Sequence, residues 1–133
     1  MKIYMILADS AQEVNGKLFI LGGGWDIASS PIPSMSVAIK AEVPWTSTGK
    51  KLEWSLRLIN EDGINIIDDA GNPIGTTGNV EVNRPDGHPE GAPISFPMAL
   101  NINNLILKSG RYEWQLDIDG YRETATFVIR EPV

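Results

Sequence analysis

Polar and apolar residues alternate with a period of two over much of this chain, the spacing that puts every second side chain on one face of a β-strand. Residues 51–59 place Leu52, Trp54, Leu56 and Leu58 on one side and Lys51, Glu53, Ser55 and Arg57 on the other. Residues 111–119 repeat the pattern, with Tyr112, Trp114, Leu116 and Ile118 inward against Arg111, Glu113, Gln115, Asp117 and Asp119. Met35, Val37, Ile39, Ala41 and Val43 make a third apolar face, and Ile94, Phe96, Met98, Leu100 and Ile102 a fourth. Pro97 falls on the outward side of the fourth, which suits an edge strand or a bulge because proline has no N–H for the ladder. Weaker signals predict strands at residues 2–8, 17–21, 64–67, 79–83 and 124–130. The first two are apolar on both faces, which predicts central positions in a sheet.

Asn15-Gly16, Glu61-Asp62-Gly63, Ala70-Gly71-Asn72-Pro73 and Asp119-Gly120 punctuate these segments with residues that accept positive φ or preset a turn. No stretch carries a helical period for more than a turn or two, and neither a linker nor an internal repeat divides the chain. Eight or nine short strands in 133 residues predict an all-β fold, a single-domain antiparallel β-sandwich over residues 1–133. A closed barrel is the alternative. A chain of this length buries roughly two thirds of the surface it exposes when unfolded, so it needs no disulfide staple.

Composition narrows the chemistry. The chain has no cysteine, which excludes disulfides, thiolate nucleophiles and every cysteine-bearing metal site. With a formal charge of −6 and only eleven scattered basic residues, it lacks the positive stripe that displaces counterions from nucleic acid. No apolar run reaches membrane-span length. The short apolar core of the opening MKIYMILADS, closed at once by Asp9, reads as a first strand rather than a secretory signal. A cytoplasmic protein is expected, without nucleic-acid or membrane partners.

Gly22-Gly23-Gly24 invites comparison with a phosphate cradle, but such a cradle needs a helix directly after its glycines. Trp25-Asp26-Ile27-Ala28-Ser29-Ser30-Pro31-Ile32-Pro33 follows instead, and each residue before a proline is biased away from helix. The glycines are therefore expected to let a strand end bulge or pass close to a neighbour. Trp25 and Trp45 lie off the regular strands, where indoles either cap a core or present a contact surface. Between Arg84 and Pro93, three prolines and two glycines stiffen a loop that carries Arg84, Asp86, His88 and Glu90. That loop is either a crossover between sheets or a preorganised recognition loop. His88 is the lone histidine, with no Ser motif around it that would complete a triad. Asp68-Asp69 and Asp117/Asp119 lack calcium-loop spacing and read as solvated turn acids. No cofactor, metal or catalytic residue is expected.

The stretches NGKLFILGGGWD (15–26), VAIKAEVPW (37–45), EVNRPDGHPEGAPISFPMALNI (81–102) and LKSGRYEWQLDIDG (107–120) together resemble a family of small bacterial and phage proteins of unknown function, of a type common in actinobacteria. The resemblance implies a compact β-sandwich and carries over no catalytic residue or cofactor. INIIDDAGNPIG (64–75) departs from it, being longer than a connection between two strands requires. The resulting expectation is a non-enzymatic interaction or structural module that self-associates or binds a protein partner. An edge strand and the loops holding Trp25, Trp45, Arg84, Asp86, His88 and Glu90 would form its contact surface. The competing readings are a phage virion accessory, such as a decoration or tail-associated subunit, and a carbohydrate-binding module using Trp25 and Trp45.

Overall fold

The computed structural model describes residues 1–131. Nine strands follow one another: β1 (Lys2–Val14), β2 (Lys17–Gly23), β3 (Ile27–Ser29), β4 (Ile32–Val43), β5 (Lys51–Asn60), β6 (Gly75–Glu81), β7 (Ile94–Leu105), β8 (Gly110–Ile118) and β9 (Tyr121–Arg130). They form a four-stranded sheet in the order β2-β1-β4-β7 and a five-stranded sheet in the order β3-β9-β8-β5-β6. The sheets share one hydrophobic core, so the fold is an all-β sandwich. Its only helical piece among the described residues is the single 3₁₀ turn Trp45–Ser47.

The alternation read from the sequence marks the core. Met35, Val37, Ile39, Ala41 and Val43 of β4 are fully buried, as are Trp114, Leu116 and Ile118 of β8 and Leu58 of β5. Asn15-Gly16 and Asp119-Gly120 both adopt positive φ and close the β1–β2 and β8–β9 hairpins. Pro97 sits on β7, which is an edge strand of the four-stranded sheet.

Four expectations need correction. Residues 17–21 were predicted to be central, yet β2 is an edge strand paired only with β1. The segment predicted at 64–67 makes only isolated bridges, Ile59 with Asn65 and Ile67 with Pro73. There Asn60 Oδ1 accepts the N–H groups of Asp62 and Ile64, and Asp68 Oδ1 those of Ala70 and Asn72, so side chains bend the backbone out of a ladder. β3 lies parallel to β9, a single exception to the antiparallel pattern. Trp54 is half-buried rather than core, because it lies over Gly78 of edge strand β6.

β1 serves two neighbours in succession. Residues 2–8 pair with β4, and from Ala8 onward the strand pairs with β2. Asn101 on β7 donates from its amide nitrogen to the Ala11 carbonyl at 2.9 Å and accepts the Ala11 N–H at 3.3 Å. Because β4 lies between β7 and β1 in the sheet, these two bonds require the outer half of β1 to lean over β4. Ser36, the one fully buried polar side chain in this region, donates its hydroxyl to the Leu100 carbonyl at 3.1 Å and so remains satisfied.

Tyr112 fixes the entry to β8. Its buried phenol donates to the Lys108 carbonyl at 2.7 Å, and its ring stacks on Phe127 at 5.7 Å. Burial, with the Glu61 carboxylate second, pushes the phenol above its ordinary pKa. The unfolded chain therefore loses this proton first as pH rises past about 10, and the stability tied to the neutral phenol falls there. Tyr112→Phe is expected to cost about 1 kcal/mol at neutral pH. The variant should also lose less stability than the parent between pH 9 and 11, an effect read from paired denaturation curves; parallel curves would refute it.

Candidate functional site

Chain direction after β4 brings three of the six expected site residues together. Pro44 precedes the 3₁₀ turn, and the Thr48 hydroxyl closes it by donating to the Trp45 carbonyl at 2.7 Å. Arg84 then donates from Nε to Thr48 Oγ1 at 2.7 Å and from Nη2 to the Trp45 carbonyl at 3.1 Å. These bonds hold its guanidinium 3.7 Å from the Trp45 ring centroid, a cation–π arrangement. The His88 ring stacks near Trp45, with centroids 6.1 Å apart and planes 14° from parallel. His88 Nε2 lies 3.1 Å from the Ala92 carbonyl and 3.2 Å from that of Pro93; both can only accept, so Nε2 carries the hydrogen. The Pro/Gly loop is thus fastened to itself and to Trp45. Asp86 and Glu90 stand exposed on the same loop.

Trp25 lies elsewhere. Its ring meets Phe127 edge-on at 6.2 Å and 84°, packed against the core, and its Nε1 is buried without a partner. Neither off-strand tryptophan therefore presents a free indole standing clear of the protein.

The three glycines act on the backbone. Gly22 and Gly24 have φ of +62° and +95°, and the Gly24 N–H donates to the Leu7 carbonyl at 2.7 Å. The Asp9 carboxylate occupies the place where a Cβ of Gly22 would stand, so the site presents negative charge where a phosphate cradle would present donors. Past these residues the chain leaves the four-stranded sheet and enters the five-stranded one as β3.

The unpaired edge of β2 is the feature missed by reading 17–21 as a central strand. Leu18-Phe19-Ile20-Leu21 runs along it without a proline or a charge, and Lys17 stands only at its start. Phe19 is 56% exposed and Leu21 70%, with Ile20 and Val14 also open to solvent. Ala8, Ser10, Gln12 and Val14 face Gly23, Leu21, Phe19 and Lys17 across the hairpin, which sets Phe19 and Leu21 on one face with Val14. The other sheet edges are blunted. β7 carries Pro97, β6 is polar and extended by backbone bonds from the 64–74 loop to Leu58, and the part of β9 that the three-residue β3 leaves uncovered, residues 121–127, carries Arg122 and Glu123.

Acidic residues on the outer face of the five-stranded sheet are engaged locally. Asp117 pairs with Arg122 at 3.1 Å, and Gln115 joins Arg57 to Glu113 through bonds of 3.2 and 2.9 Å. Among the described residues no three His, Asp or Glu side chains gather as a metal-holding group, and no helix is long and apolar enough to cross a membrane.

Residues 3–129 match the family model described as Family of unknown function (DUF6941). No curated protein and no solved structure matches the chain.

Proposed function

We propose that this chain, which belongs to that family of unknown function, works as a binding module that accepts an extended polypeptide strand along the free edge of β2. One observation carries the reading: four consecutive apolar residues, with no proline or charge among them, line a sheet edge that has no strand beside it. Main-chain groups of an edge strand that point away from its neighbour supply affinity for an added strand, and alternate side chains supply selectivity. The Asn15-Gly16 turn and the Asn101 clamp on Ala11 hold the edge in place before any partner arrives. Such preorganisation lowers the ordering cost of binding.

The tryptophans support a carbohydrate platform less well, since Trp45 is engaged by Arg84 and His88 and Trp25 by Phe127. A bacterial or phage origin, implied by the resemblance, would make a virion decoration or tail subunit one setting for strand pairing.

Titration of isotope-labelled protein with short apolar peptides tests the reading. Amide resonances of β2 are expected to shift, whereas Phe19→Lys and Leu21→Lys should each weaken the interaction about tenfold or more. Both positions are exposed, so melting temperatures should stay near the parent value. β2 amides that respond neither to peptides nor to the protein's own concentration would reject the proposal.

A further inference from the structure

We infer that the seam where the two sheets meet along β6 and β7 is a binding site for an uncharged, mostly apolar molecule of about ten non-hydrogen atoms. The site is separate from the strand-accepting edge, since β2 and β7 lie at opposite ends of the four-stranded sheet. It originates in a mismatch of side-chain size. The core-facing positions of β7 are Phe96, Met98, Leu100 and Ile102, opposite Ala41, Ile39, Val37 and Met35 of β4. Those of β6 are only Thr76, Gly78 and Val80, opposite Leu56, Trp54 and Leu52 of β5. No strand pairing joins β6 to β7, so the four large β7 side chains stay half-buried although they point into the sandwich.

At the underfilled seam lies a cavity of about 210 Å³. Thr76 stands exposed at its mouth, Leu100 and Ile102 form one wall, and Leu56 and Trp114 make a floor sealed from water. The polar atom of that floor, Trp114 Nε1, already donates to Met35 Sδ, so the floor is apolar to a ligand. At the packing density of a protein interior, about 0.74, the volume holds about ten non-hydrogen atoms. Dry apolar cavities of about 150 Å³ accept benzene. None of the seven residues around this one is charged. Other depressions contrast with it: Lys51, Glu53, Asp117 and Asp119 line one on the outer face of the five-stranded sheet, and Lys2 and Glu42 flank another beside Trp45. An ion entering the seam would lose its hydration and gain no counter-charge, which restricts the ligand to neutral molecules. The Thr76 hydroxyl can donate or accept at the mouth, which accommodates one polar group directed outward.

Indole, which has this size and a single N–H, is the probe. Titrated into isotope-labelled protein, it is expected to shift the methyl resonances of Leu56, Leu100 and Ile102 and the indole N–H of Trp114 in a saturable way, leaving the β2 amides unmoved. Indole carboxylate, of similar shape but anionic, should bind at least about tenfold more weakly. Thr76→Ile fills the mouth and should weaken indole binding about tenfold or more. Its melting temperature should stay near the parent value, because the position is exposed and a β-branched residue suits a strand. If that variant fails to fold, the parent titrations with indole and its carboxylate still decide the matter. Leu100 and Ile102 methyls that ignore indole, a carboxylate that binds as tightly, or a folded Thr76→Ile variant that binds like the parent would each overturn the site. None of these results bears on whether β2 accepts peptides, so the two readings fail separately.

Discussion

Trp114→Ala is expected to destabilise the fold by about 3–5 kcal/mol, the range for removing a fully buried large aromatic and leaving a cavity behind. Trp114 is wholly enclosed at the middle of β8, and its indole N–H points at Met35 Sδ, 3.3 Å away on the facing sheet. Its loss would remove packing from both layers at once. Loss on this scale is comparable with the whole stability of many domains, so the variant should be largely unfolded at physiological temperature. Trp54→Ala provides the control. That indole covers Gly78 at a sheet edge and remains half-exposed, so truncation should cost about 1–2 kcal/mol. Denaturant midpoints with unchanged slopes measure both. A Trp54 variant weaker than the Trp114 variant would mean that the edge, and not the centre, holds the sheets together.

Gly75→Ala should be nearly as damaging, at roughly 3 kcal/mol, although it adds a single methyl group. Gly75 opens β6 with φ of +152°, and a Cβ there would overlap the Leu56 carbonyl oxygen and stand 2.9 Å from Arg57 Cα. Both atoms are backbone of β5, so no rotamer change relieves the clash. β6 would have to separate from β5 at its start. Gly78→Ala makes the comparison sharp, because the atoms nearest its added methyl all belong to the Trp54 side chain, at 2.8–3.0 Å. Backbone overlap predicts a lower melting temperature and faster amide exchange through β6 for the Gly75 variant than for the Gly78 variant. Equal melting temperatures would place the constraint on the indole instead.

Most of the sandwich is legible in the alternation, because a strand with one buried face must show it. β4, β5 and β8 announce themselves this way. What a strand faces is less legible: Leu52, Trp54, Leu56 and Leu58 share a face, but only Trp54 stands beside a glycine on a sheet edge. β2 misled for a related reason. An apolar run on both faces reads the same whether a second strand covers it or nothing does, and only the path of the chain after Gly24 separates the cases. The cluster of Trp45, Arg84 and His88 was visible as members but not as a stack, since its hydrogen bonds join residues 36 and 39 positions apart.

The clamp between Asn101 and Ala11 spans 90 positions, and that separation has a kinetic meaning. Ribosomes deliver the β1–β2 hairpin early and β7 late, so the apolar strand emerges long before the amide that steadies it exists. Contacts this remote in sequence also close slowly, because the intervening chain must be ordered first. The newborn hairpin thus spends an interval unclamped with its greasy edge bare, the state in which nascent chains most readily aggregate or engage chaperones.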